Sequence, residues 1–220
     1  MQYLGLPAGM WMLFRRSFQR NLTNSLGIDR REAAEMTKRA KAKYREIIKG
    51  LPTFEKGDRF VVNIVNCAMF ASFCLEMKGQ PSPEQMTVYY CESMTTGAMK
   101  RFCRMGGRRK FKKRDIASMQ RIAAQKAADR NRYSWNMDFL PYADGSGYEA
   151  RFYRCGICTL MGELNLSAYI PAMCRLDYTM SELGGADIFV REYTLASGGP
   201  YCGCGYKKKG VEPWDCSKSM

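Results

Sequence analysis

No histidine occurs anywhere in the 220 residues. That removes the usual neutral-pH acid–base group and the commonest metal ligand. An enzyme built on this chain must work with Cys, Asp, Glu, Lys, Tyr or backbone dipoles. Long apolar runs are also missing: none approaches the roughly 18 residues that a membrane span needs. The start, residues 1–14, has no basic stretch ahead of its apolar part, and Arg15-Arg16 follows it. A secretory leader is therefore not expected, and a cytoplasmic location is. Acidic residues are scarce beside basic ones, 21 Asp and Glu against 35 Lys and Arg, for a formal charge of +14. This balance favours an anionic partner: a carboxylate substrate, a nucleic acid or a membrane surface. Repeats are absent.

Hydrophobic residues make up 46% and aromatics 12%, enough for a folded core and too much for disorder. There are ten cysteines. They lack the short regular spacing of a disulfide scaffold, and in a reducing compartment they read as free, buried or catalytic thiols.

The first 131 residues read as a helical layer. Apolar spacing predicts helices over 13–26 and 30–49, the second capped by Asp29. Residues 59–78 are apolar nearly all round and read as a central buried helix. Cys67 and Cys74, one heptad apart on it, are expected to pack as small hydrophobes. Ser82-Pro83 starts a helix expected to run to about Arg104. The basic run 108–114 carries one aromatic, Phe111, too few for a base-stacking platform. It is expected to be a solvated loop, which disfavours nucleic acid as a partner. A further helix is expected over 115–131.

The pattern changes near Tyr133. Residues 134–140 alternate as a strand, Asp144-Gly145-Ser146-Gly147 is a hairpin turn, and 148–153 alternate again. Helices are expected from Cys155 to about Leu164 and from Ser167 to about Leu183. Strands are expected over 186–193 and 201–208, around a Ser-Gly-Gly-Pro turn. The fold class is α+β: a helical layer, then a four-stranded antiparallel sheet built hairpin–helix–helix–hairpin over 132–209. A loosely packed tail, 210–220, holds Trp214 and Cys216.

Five cysteines lie between 153 and 208, beside element ends and glycine turns. Three chemistries fit them. Cys155 at a helix N-terminus, next to Arg154, suits a nucleophilic thiolate. Asp177 or Glu163 then handles protons, Tyr178 or Tyr206 donates one, and Arg175 or Arg191 clamps a carboxylate. Alternatively, Cys155, Cys158, Cys202 and Cys204 supply four thiolates to zinc or an iron–sulfur centre. Third, Cys155-Gly-Ile-Cys158 has the spacing of a thioredoxin-type redox pair, without the βαβ setting such a pair needs.

Several landmarks recur in order: Cys155 opening a helix, Glu163 to Leu166 ending it, and Cys174-x-x-Asp177-Tyr178. Thr194-Leu-Ala-x-Gly198-Gly199 and then Cys202 complete the series. In this the chain resembles the L-2-amino-thiazoline-4-carboxylic acid hydrolase family. The resemblance implies hydrolytic opening of a cyclic amidine that bears a carboxylate, giving a carbamoyl-cysteine product. It thus implies a hydrolase of carbon–nitrogen bonds that needs no cofactor. By the same resemblance Cys155, Asp177 and Cys202 are the catalytic candidates. Arg154, Arg175, Tyr178, Arg191, Thr194, Gly198 and Gly199 are the substrate-binding candidates. That family closes roughly Gly-Gly-Asp-x-Cys-Asp-Phe; here Pro200 stands for the first Asp, and Gly203 and Cys204 for the Asp-Phe. The closing pattern is also similar to that of 4-vinyl-reductase-type small-molecule-binding domains, some of which hold zinc. Cys155 and Cys202 match two such ligands, and Thr194 stands where another Cys would be. A small-molecule carboxylate is the expected partner, no membrane is expected as one, and an oligomer is left open.

Overall fold

The computed structural model describes residues 5–210; Trp214 and Cys216 lie outside them. Eight α-helices and four strands are found among these residues, an α+β fold. The chain forms two compact units that interleave in sequence. Among the described residues the first comprises 5–99, Arg130–Trp135 and Cys155–Leu176; the second comprises Lys100–Asp129, Asn136–Arg154 and 177–210.

The first unit is organised around α3 (Val61–Cys74), whose residues from Cys67 to Cys74 are all buried. Packing on several sides removes any need for a polar face, which is why this stretch reads as continuously apolar. Around it lie α1 (Leu6–Asn24), α2 (Arg30–Gly50) and α7 (Gly156–Glu163), with α4 (Pro83–Met94) against α1. Ala33, Met36, Ala40, Tyr44 and Ile47 form the buried stripe of α2, spaced as its three-four rhythm demands. The Asp29 side chain accepts hydrogen bonds from the Arg31 and Glu32 N–H groups, capping that helix. Trp11 stacks between Tyr44 and Phe73, at ring-centroid distances of 5.5 and 5.8 Å.

The expected single helix from Pro83 to Arg104 is two. After α4, a break at Thr95–Thr96 precedes α5 (Gly97–Gly107). The Thr95 hydroxyl donates to the Cys91 carbonyl, and Thr96 Oγ1 accepts the Met99 N–H. Threonine hydroxyls compete with the helical ladder for backbone groups, and here they end one helix and start the next. The strand expected from residue 134 starts only at Asp138. Ser134 instead donates to Asp58, and the Trp135 ring lies 5.5 Å from that of Phe60.

The second unit holds α6 (Lys113–Ala127) and one sheet of β1 (Asp138–Pro141), β2 (Gly147–Phe152), β3 (Asp187–Val190) and β4 (Cys202–Lys208). The order is β1-β2-β4-β3, and every pair is antiparallel. Helix α8 (Ile170–Gly184) enters this unit at Asp177. Side chains alternate across a strand. One face therefore carries Tyr148 and Ala150 of β2, Cys202, Cys204 and Tyr206 of β4, and Phe189 of β3. Tyr178 of α8 meets Phe189 edge-on at 4.7 Å, and Phe111 meets Tyr148 at 5.4 Å. On the opposite face Ile188 is 54% exposed, while Gly203 and Gly205 are buried.

Gly147 sets the register of the two central strands. A Cβ there would lie 1.9 Å from the Tyr206 carbonyl oxygen. Gly147→Ala is expected to push β2 off β4 and to cost roughly 1–3 kcal/mol. A urea titration of both proteins measures it.

Candidate active site

In the second unit one arginine gathers a polar cluster on the inner face of the sheet. Arg191 follows β3, and its side chain is only 7% exposed. Its Nη2 donates to Asp177 Oδ2 at 2.6 Å and to Cys204 Sγ at 3.0 Å, while Nε donates to the Gly203 carbonyl at 3.0 Å. One guanidinium thus ties α8 to β4. Burial works against its charge, but Cys204 and Asp177 hold it protonated, well above its ordinary range. Desolvation raises the Asp177 pKa above 3.8, against the pull of Arg191. The Asp177 side chain nevertheless keeps 42% of its surface open. The carboxylate is crowded and still reachable by solvent. Burial, and then Asp177, push the Cys204 thiol up, so it is a neutral thiol at pH 7. Tyr206 is raised as well, by burial first, and stays a protonated phenol.

Cys202, two residues before Cys204 on the same strand face, is buried. Its sulfur accepts a hydrogen bond from the Leu195 N–H at 3.2 Å. The turn that presents this donor is self-supporting. Thr194 Oγ1 accepts the Ser197 N–H, Gly198 takes φ 80°, and the Gly199 N–H donates to the Thr194 carbonyl. A Cβ on Gly199 would come within 2.8 Å of Tyr193 Cβ. The Thr-Leu-Ala-Ser-Gly-Gly run therefore has a shape requirement: it aims Leu195 at Cys202.

Cys155 lies in the first unit. It is the N-cap residue of α7, with Cys158 one turn on. The thiolate expected there is not favoured. Cys158 first, and burial second, push the Cys155 thiol well up, and the Ile157 and Cys158 N–H groups offset this only in part. Arg154 is engaged elsewhere: its Nη2 donates to the Asp129 carbonyl at 2.7 Å. Glu163 is held by Arg132 at 2.6 Å and by the Tyr133 hydroxyl, so it faces outward on an exposed ion pair. Cys67, on α3, stands close enough for Cys155 to raise its pKa further. The four thiols considered for a metal are divided, Cys155 and Cys158 in the first unit, Cys202 and Cys204 in the second. Among the described residues no group of three or more Cys, Asp or Glu that could hold a metal ion is found.

The comparison that decides the family is a model of L-2-amino-thiazoline-4-carboxylic acid hydrolase, which matches residues 62–206. The chain belongs to that family. No curated protein and no solved structure gives a match. The matched span opens in α3 and closes at Tyr206, so it takes in both thiol groups, Asp177 and Arg191.

Two residues at the end of the matched span shape the cluster. Gly203 leaves room that Glu149 fills: its Oε1 lies 2.9 Å from where a Cβ would be. Cys204 gives Arg191 a sulfur partner. Tyr178, next to Asp177, packs on Phe189. Arg175 is exposed, and residues two apart on a helix do not share a face, so it is not aligned with Asp177.

Sequence reasoning missed Lys110. Within the run read as a solvated loop, it turns inward and is 18% exposed. Its Nζ pairs with Asp187 at 3.0 Å and lies 3.5 Å over the Tyr206 ring. Burial lowers its pKa, against the pull of Asp187. Ser181 donates to the other Asp187 oxygen at 2.6 Å. The one signal available was Phe111 beside it, an apolar residue inside a charge run. Arg191 is an anchor rather than a loose clamp. Replacing it by Met is expected to cost about 1–3 kcal/mol, below the range for fully buried pairs because Asp177 is half open. R191M/D177N should recover part of that loss in the same denaturant titration.

Proposed function

We propose that this chain hydrolyses a small carboxylated cyclic amidine of the 2-amino-thiazoline-4-carboxylate kind, without a cofactor. The observation that carries this is the single guanidinium shared by Asp177 and Cys204, on the strand that also presents Cys202. An amidine carbon is electrophilic. It needs a nucleophile and a proton for the departing atom.

Cys202 is the nucleophile in this reading, assisted by the Leu195 N–H. The Cys202 thiol gives its proton to Asp177 as its sulfur bonds to the amidine carbon; one ring bond to that carbon breaks, and the departing ring atom takes the proton from Asp177. Water then adds to the same carbon, giving a proton to Asp177; the sulfur–carbon bond breaks, Asp177 returns that proton to the Cys202 sulfur, and a carbamoyl product leaves. Arg191 holds Asp177 in place and is a positioning residue. Cys155, whose thiol stays protonated, takes no part in the step. Loss of the ring carbon–sulfur bond leaves a free thiol on the product; loss of the ring carbon–nitrogen bond leaves a free amine.

Incubation with 2-amino-thiazoline-4-carboxylate, followed by thiol and amine titration, tests the reading. Turnover is expected in the wild type. D177N and C202S should each lower it by about 10²–10⁴-fold, while C155S should retain it. No turnover of this substrate or of related cyclic amidines would refute the proposal, and loss with C155S alone would move the chemistry to the first unit. Metal analysis of active protein is expected to find less than one equivalent of zinc or iron.

The pH dependence follows from Asp177. It must be ionised to accept a proton, and burial raises its pKa above 3.8. The acid limb of kcat/KM is therefore expected above pH 3.8, with activity falling as pH drops through it. Fitting the profile from pH 3 to 8 locates the limb (about the range of ordinary carboxylate and cysteine behaviour).

A further inference from the structure

Between Lys100 and Arg114 the chain has nine Lys and Arg and no Asp or Glu. Lys110 turns inward; the other eight are exposed. The same segment leaves Phe102 63% and Met105 44% exposed. Within the second unit, α5 uses only one narrow line for packing. Cys103 is buried, and Gly107 presses on the end of α8, where a Cβ would lie 2.2 Å from the Gly184 carbonyl oxygen. Phe102 and Met105, three apart, share a flank of the helix away from that line, beside Arg101, Arg104 and Arg108. A helix serving only the core would hide its large apolar side chains and not a small thiol and a glycine.

From this arrangement we infer that α5 and the basic turn after it dock on an anionic lipid surface. Phe102 and Met105 enter the boundary between headgroups and acyl chains, and the surrounding cations meet the acidic headgroups. A second copy is a poor occupant, because it would bring like charge against like charge. Nucleic acid would take the cations but leave Met105 and Phe102 unused, with too few aromatics for base stacking. Lying on a surface is distinct from crossing it: among the described residues no helix is long and apolar enough to cross a membrane.

Sedimentation of the full chain with vesicles tests this, using phosphatidylcholine alone or mixed with phosphatidylserine at physiological salt. Binding is expected only to the mixed vesicles. R101Q/R104Q/R108Q should weaken it about a hundredfold, from roughly fivefold per surface cation. F102S/M105S should weaken it about tenfold, through lost apolar burial. Both variants should keep the wild-type melting temperature and amidine turnover. Equal binding to both vesicle types, binding to neither, or unaltered binding by F102S/M105S would overturn the inference. So would tighter binding to duplex DNA than to the mixed vesicles at the same salt.

Discussion

A charged guanidinium removed from water must find partners, and most of the second unit's polar architecture answers that need. Arg191 finds three of them on two elements: the Asp177 carboxylate, the Cys204 sulfur and the Gly203 carbonyl. Each partner then inherits a constraint. Asp177 is fixed in orientation while part of it stays open to solvent. Cys204 is drawn to the inner face of β4, and strand alternation puts Cys202 on that face too. The Gly203 carbonyl is committed to Nε. The chemistry proposed for this unit rests on that one anchored cation.

A second cation supports the same face differently. Lys110 lies on the Tyr206 ring and pairs with Asp187, whose remaining oxygen is taken by Ser181. Aromatic contact and ion pair act together here, because neither compensates desolvation alone. Its neighbours on the same run point outward, so one stretch of sequence both pins the sheet and covers the surface with charge. The first unit is held otherwise, by close apolar packing around α3, and its thiols sit among hydrophobic neighbours. There Cys155 is held protonated by Cys158 first and by burial second, while in the second unit the Cys202 sulfur accepts the Leu195 N–H.

Much of the element order was legible. The Asp29 cap, the Ser82-Pro83 start, the Asp144-Gly145 turn and the Gly184-Gly185 stop are local signals, and each acts within a few residues of where it stands. The misreadings share a cause. Thr95-Thr96 looked like helix interior because propensity cannot tell which hydroxyl will capture a backbone group. Ser134-Trp135 looked like strand because alternation is blind to Asp58 and Phe60, some 75 residues earlier in sequence on the scale of long-range contacts. Glu163 looked available until Arg132 and Tyr133 were seen to hold it.

By itself, then, the sequence determined what depends on neighbours along the chain: the α+β class, the four-strand sheet, the turn at 194–199 and the family to which the landmarks belong. Tertiary structure decided what depends on dielectric and on distant partners. It set which arginine is buried, which lysine leaves its run, and which sulfur receives an N–H. The physical reason is that charge and proton affinity are set by all atoms within several ångströms, whereas propensity and periodicity are set by the next few residues.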